Sequence, residues 1–163
     1  GSEMCIRDSN MSLEKAKEHL KKYKLDQNIM EFTTSSATVQ QAAIALNCTE
    51  GEIAKTLSFL VEEKPILIVV AGDTKIDNSR YKAEFHKKAK MIPYEKVEEL
   101  IGHQVGGVCP FGVNEGVEVY LDKSLQKYKT VYPASGSDSS AVKLTIQELE
   151  QASNYQKWID VCK

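Results

Sequence analysis

A lysine set among apolar neighbours is the first residue here whose type and position could do chemistry. Lys55 stands in the run Ile53-Ala54-Lys55-Thr56-Leu57, and burying an ammonium is costly unless it is paired. Two uses stay open. The group can snorkel to water from an apolar edge, or it can grip a phosphate or carboxylate in a cleft as a point charge. The second candidate is Val105-Gly106-Gly107-Val108-Cys109-Pro110-Phe111-Gly112. Its glycines would let backbone approach a ligand closely and present N–H and C=O groups to it. The run is neither a P-loop nor a G-x-G-x-x-G fingerprint, so an ordinary tight turn between strands explains it as well. The third is the polar loop Ala134-Ser135-Gly136-Ser137-Asp138-Ser139-Ser140. It can be a plain connection, or it can offer hydroxyls and the Asp138 carboxylate to a polar ligand.

Cysteine and histidine chemistry finds less support. No C-x-x-C pair occurs, and His19, His86 and His103 do not fall at zinc spacings, so no metal is expected. A catalytic Cys109 would need a base. His103 is six residues away, and six extended residues span roughly 20 Å, which argues against a pair. No G-x-S-x-G supports a serine triad.

These groups need elements to position them. Ser12 can cap a helix whose stripe is Leu13, Ala16, Leu20 and Tyr23, with Lys15, Lys17, Lys21, Lys22 and Lys24 on the other face. A short strand is expected over 29–33, then a polar turn. Thr38 with Gln41, Thr49 with Glu52 and Thr145 with Glu148 each read as a capping box. The second should open a one-turn helix holding Ile53 and Ala54. Residues 56–61 alternate and 65–71 are continuously apolar, with Glu62-Glu63-Lys64 between them, which predicts a hairpin whose second strand is buried on both faces. Further helices are expected from Asp77 or Asn78 to Phe85, and after Pro93 with Gly102 as the stop. Strands are expected over 89–92, 117–121, 129–132 and 142–144, and in the tail 155–162 with Trp158 inward. The sum is one α/β domain with a mixed, mostly antiparallel sheet of six or seven strands and flanking helices.

The protein has 163 residues, 42% hydrophobic and 27% charged, with a formal net charge of −2. This suits one soluble core without disulfides or metals. No global positive field marks a nucleic-acid partner, so any such contact must be local. The longest apolar run, 65–71, is too short to cross a bilayer. Cys5, Cys48, Cys109 and Cys162 read as free thiols of a reducing cytosol. Gly1 and Ser2 resemble a tag-removal scar, residues 3–10 show no periodicity, and Met11 is a plausible native start. Residues 1–10 are therefore set apart, and the domain is taken as 11–163.

In this order, five stretches resemble the YbaK/EbsC family, also called the prolyl-tRNA-synthetase-associated domain. They are Thr38–Ala43, Ile53–Leu57, Val69–Asp73, Gly106–Gly112 and Tyr132–Gly136. The resemblance runs from about Ser12 to Lys163. It implies a pseudo-barrel of mixed strands with one cleft, and an enzyme that hydrolyses amino acids wrongly attached to tRNA after release from the synthetase. The family's lysine falls on Lys55, where it would hold the terminal adenosine and its phosphate. The family's G-x-x-x-P pattern falls on Gly106 to Pro110, and the Gly106 carbonyl would orient the attacking water or the substrate amine. No cofactor is implied. Pocket-lining candidates are Phe32, Thr38, Val39, Thr56, Ser58, Gly107, Cys109, Pro110, Ser135, Gly136 and Asp138. Expected partners are the acceptor end of a mischarged tRNA and an aminoacyl-tRNA synthetase, in the cytoplasm and away from membranes.

One departure limits the carry-over. Members that handle cysteinyl-tRNA have a longer loop before the position of Thr38, ending in an aromatic residue; here the segment 33–37 is short. Serine, threonine or alanine is thus as good an expectation as cysteine. Two other readings stay open: a module that captures aminoacyl-tRNA or a synthetase without hydrolysis, and a small-molecule esterase on the same fold.

Overall fold

The computed structural model describes residues 2–32 and 38–163, with side chains from residue 12 onward. The turn and short-loop readings at 33–37 lie outside the described residues. So does the thiol of Cys5.

Helix α1 spans Ser2–Lys21. Its backbone continues through residues 2–11, so Ser12 lies inside the helix and does not cap it, contrary to the expectation. Ala16 and Leu20 are fully buried and fix α1 on the core. Strand β1 (Ile29–Glu31) follows, then α2 (Val39–Leu46). The Thr38 hydroxyl accepts from the Gln41 amide at 3.1 Å, and the Gln41 side-chain oxygen accepts from the Thr38 N–H at 3.3 Å. The box at Thr49 also forms, but the turn it opens is a 3-10 turn, Glu50–Glu52. Ile53 and Ala54 belong to strand β2 (Ile53–Val61) and not to a helix. Lys55 therefore lies within a strand.

Strands β2 and β3 (Lys64–Ala71) pair antiparallel from Ala54↔Ala71 to Val61↔Lys64. Glu62 and Glu63 make the two-residue turn with φ of 50° and 69°, the positive-φ geometry that tight hairpins favour. Leu67, Val69 and Ala71 face one core cluster, and Ile66, Ile68 and Val70 face the other. Strand β3 is thus buried on both faces, as its unbroken apolar run predicts.

The remaining elements are α3 (Asn78–Phe85), α4 (Val97–Ile101), β4 (Glu118–Asp122), β5 (Thr130–Pro133), β6 (Ser140–Val142), β7 (Leu144–Thr145), α5 (Ile146–Ser153) and β8 (Trp158–Ile159). Asp77 caps α3, accepting from Ser79 and Arg80 at 2.9 and 3.2 Å. The strand expected at 89–92 reduces to a single bridge, Met91↔Phe59, and the one expected at 155–162 to β8. The large sheet runs β7-β5-β2-β3-β4-β8, and β1 pairs with β6 beside it. The long β2–β3 hairpin keeps most paired positions antiparallel, although β2–β5, β3–β4 and β4–β8 are parallel. The sheet curls into a half-barrel flanked by helices. Among the described residues no helix is long and apolar enough to cross a membrane.

Candidate active site

A gap in the sheet defines the site. Strand β5 pairs with β2 only at Ile53↔Tyr132 and Ala54↔Pro133. Beyond that point β5 leaves the sheet, and Ala134 bridges to Ala141. The next cover for the β2 edge comes where Ile92 donates to the Ser58 carbonyl at 3.1 Å and Leu60 donates to the Lys90 carbonyl at 2.8 Å. Between these closures the edge over 55–57 has no neighbouring strand among the described residues. A cavity of about 420 Å³ opens against it, at the small end of the range for small-molecule sites.

Its walls come from several elements. Helix α2 and its cap give Thr38, Val39 and Ala42; β2 gives residues 53–58; the 91–97 segment gives Met91, Ile92, Tyr94 and Val97. The glycine-rich run gives Val105, Gly106 and Val108, the loop after β5 gives Ala134 and Ser137, and β6 gives Ser140. Lys55 and Gly106 therefore border one cavity, together with Thr38, Val39, Thr56 and Ser58. No carboxylate, imidazole or thiol is among the described residues on its wall.

Lys55 reaches away from the cavity centre. Opposite positions share a sheet face, and Lys55 lies opposite Val70, which belongs to the cluster on the far side from Thr56 and Val69. Its Nζ donates to the Thr74 carbonyl at 2.6 Å. Burial lowers its pKa, opposed by the nearby Cys162 and Asp73 side chains.

The other candidates are not among the wall residues. Gly107 is buried, and a Cβ there would come within 2.5 Å of the Gly136 carbonyl carbon, so the two loops stack backbone on backbone. Gly106 has φ +96°, a conformation that favours glycine, and Asp138 lies beside it, exposed. Pro110 is buried. Ser135 is sealed, and its hydroxyl is unpartnered. Phe32 is half-buried off the wall, its N–H bound to the Ser139 carbonyl at 2.9 Å.

Cys109 and His103 correct the distance argument. The loop between them folds back, and Cys109 Sγ lies 3.5 Å from His103 Nε2. The pair has the wrong chemistry for a nucleophile. Both residues are fully buried. Burial pushes the thiol up to about 12 and the imidazole down to about 4. The ring is saturated: Nε2 faces the Phe111 carbonyl, which can only accept, leaving Nδ1 to accept from the Ser12 hydroxyl at 2.7 Å. Thiolate and imidazolium are each disfavoured here.

The rim carries little signal in the sequence. Tyr94 is 75% exposed and Met91 57% exposed, and both border the cavity mouth. The local sign is no more than an aromatic residue just after Pro93. Ser137 and Ser140, bonded to each other at 2.6 Å, are wall residues that the polar-loop reading did not single out.

Fold and site together define the class: a single α/β half-barrel domain with a cavity bordered by hydroxyls, one lysine and open strand and glycine backbone. The aminoacyl-tRNA editing domain model matches residues 33–152, and the protein belongs to that family. It is 48% identical over 154 residues to the uncharacterized protein YwhH of Bacillus subtilis, covering 94% of this sequence and 98% of that one. A solved structure described as a candidate trans-editing enzyme for prolyl tRNA synthetase superposes with a TM-score of 0.84 at 27% identity, over 93% of this sequence and 97% of that one. A proline–tRNA ligase of Bacillus cytotoxicus is 28% identical over 94 residues, 57% of this sequence but only 17% of the ligase.

Proposed function

We propose that the protein is a free-standing aminoacyl-tRNA deacylase that hydrolyses the ester of mischarged tRNA in trans. One observation carries this reading: Lys55 and Gly106 border a single cavity whose described wall holds no protein base. An aminoacyl ester is already activated, so positioning and charge stabilisation suffice for its hydrolysis. The attacking water passes its proton to a ribose oxygen of the substrate and is oriented by the Gly106 carbonyl. Lys55 exchanges the Thr74 carbonyl for a phosphate of the acceptor end, a rotamer change that its partial desolvation favours. Exposed Tyr94 and Met91 at the mouth offer a face on which a terminal base stacks. The small cavity, with Ser58, Ser137 and Ser140 among its lining residues, suits a small acyl group such as alanine, serine, threonine or cysteine. A prolyl-tRNA synthetase as working partner belongs to the same proposal, supported by the relatives' names.

The test is a deacylation panel of full-length tRNAs mischarged with alanine, serine, threonine, cysteine and proline. Turnover of at least one, falling as salt is raised because phosphates are contacted, is the expected result. Equal turnover of aminoacyl-adenosine and tRNA would favour a small-molecule esterase, and binding without hydrolysis would favour a capture module.

A further inference from the structure

The least satisfied polar groups in the cavity wall belong to Thr56. In an antiparallel pair, successive residues turn their N–H and C=O groups alternately toward and away from the partner strand. Ser58 and Leu60 are bonded on the side away from β3, to Ile92 and Lys90. Thr56, two residues earlier than Ser58, therefore directs its N–H and C=O the same way. Strand β5 has ended at Ala54 and the 90–92 segment has not begun, so no described strand meets them. No hydrogen bond to either group occurs among the described residues. The Thr56 hydroxyl adds a third case. It is shielded from solvent and has no hydrogen-bond partner, although the residue borders the cavity. Natural interiors rarely leave such groups unpaired, and a turn about χ1 would exchange the side-chain methyl for the hydroxyl at the cavity surface.

We propose that Thr56 positions the aminoacyl group. Its backbone carbonyl accepts from the α-ammonium of the substrate, and its N–H and hydroxyl donate to the ester carbonyl oxygen. This assignment rests on the deacylase reading. The chemistry fits: a short stretch of unpaired strand offers a donor and an acceptor on one side, and an aminoacyl ester presents an acceptor and a charged donor close together. As water attacks the ester carbon, the negative charge that gathers on the carbonyl oxygen meets the Thr56 N–H, already in place, and the hydroxyl brought round by the turn about χ1. The C–O bond to the ribose then breaks, and the ribose oxygen takes the proton released by the attacking water. Ser58 adds an N–H along the same edge, since only its carbonyl is taken by Ile92.

The experiment compares wild type, Thr56→Val and Thr56→Ser on Ala-, Ser-, Thr- and Cys-tRNA, each with a free and an N-acetylated amine, alongside thermal melting. Thr56→Val should lower kcat/KM at least tenfold on the best substrate while leaving Tm unchanged or raised, because an unpaired hydroxyl is replaced by a methyl group. Thr56→Ser should recover to within about threefold. N-acetylation, which removes the ammonium, should slow the wild type at least tenfold. Thr56→Val at the wild-type rate, or losing activity only together with Tm, overturns the assignment and leaves the deacylase reading standing. Equal turnover of acetylated and free substrates overturns the ammonium contact. A wild type inactive on every tRNA of the panel overturns the deacylase reading and this assignment together.

Discussion

Two polar clusters draw on the glycine-rich run, one through Cys109 and one through Gly106, and they differ in burial and in hydrogen bonding. In the first, Ser12, His103 and Cys109 assemble the residue types from which nucleophiles are built, yet all three are buried and the imidazole is saturated by its neighbours. In the second, Thr56, Ser58, Lys55 and the Gly106 backbone are ordinary groups, yet they border open space, and some carry bonding capacity that no described residue uses. A satisfied cluster specifies packing; an unsatisfied one beside an open cavity is completed by water or by a ligand that displaces it. Reactive residue type and unmet hydrogen bonding with access thus point to different places in this molecule.

That contrast can be tested from four sides. The largest effect is expected in the sealed cluster and on stability. His103 is held neutral near a pKa of about 4, while in the unfolded state it titrates near 6.5. Between those values the unfolded state binds a proton that the folded one refuses, so the contribution of this residue is flat above about pH 6.5 and is lost as pH drops toward 4. The loss is about 3 kcal/mol, roughly a hundredfold in the folding equilibrium. His19, also lowered by burial, adds in the same direction. Denaturant melts across this range should show the slope, and His103→Gln should flatten most of it. A pH-independent midpoint from 7 to 4.5 would contradict the sealed, neutral imidazole.

Next in size is Lys55→Ala, expected to cut deacylation at least tenfold with little change in Tm, because the lost bond is a single partly exposed one to Thr74. A large drop in Tm would make the lysine structural. Tyr94→Ala should raise KM about fivefold, in line with the loss of one stacking contact, and leave kcat and Tm alone, since the ring is 75% exposed. Tyr94→Phe should behave as wild type; a kcat effect would move the residue from the rim into the chemistry. The smallest change is expected from Cys109→Ala: less than twofold in activity, with a lower Tm from the void it leaves. Loss of activity at unchanged Tm would reverse the comparison and return the thiol to the reaction.

Short-range signals are the legible ones. The boxes at Thr38, Thr49 and Thr145 depend on residues three apart, and the two-sided burial of β3 follows from its unbroken apolar run. Lys55 and Gly106 stand out as candidates because a lysine among apolar residues and a glycine cluster are both unusual. Local geometry misleads where folding is long-range. An extended segment would separate His103 from Cys109, but the segment is a compact loop that brings them together. A capping box before Ile53 and Ala54 points to a helix, but pairing with Tyr132 and Pro133 draws both residues into the sheet. The unmet groups of Thr56 leave no trace in the sequence: they exist because β5 stops and the 90–92 segment starts at two particular places.

The gap along β2 also bears on solubility. Exposed strand edges invite pairing with other molecules, and proteins usually guard them with bulges, prolines or charge. Here the unguarded stretch covers residues 55–57, bounded by partners at both ends and recessed beside a cavity. A foreign strand needs a longer run to gain a foothold, so this gap leaves backbone groups open to the cavity without making the β2 edge a template for fibrils.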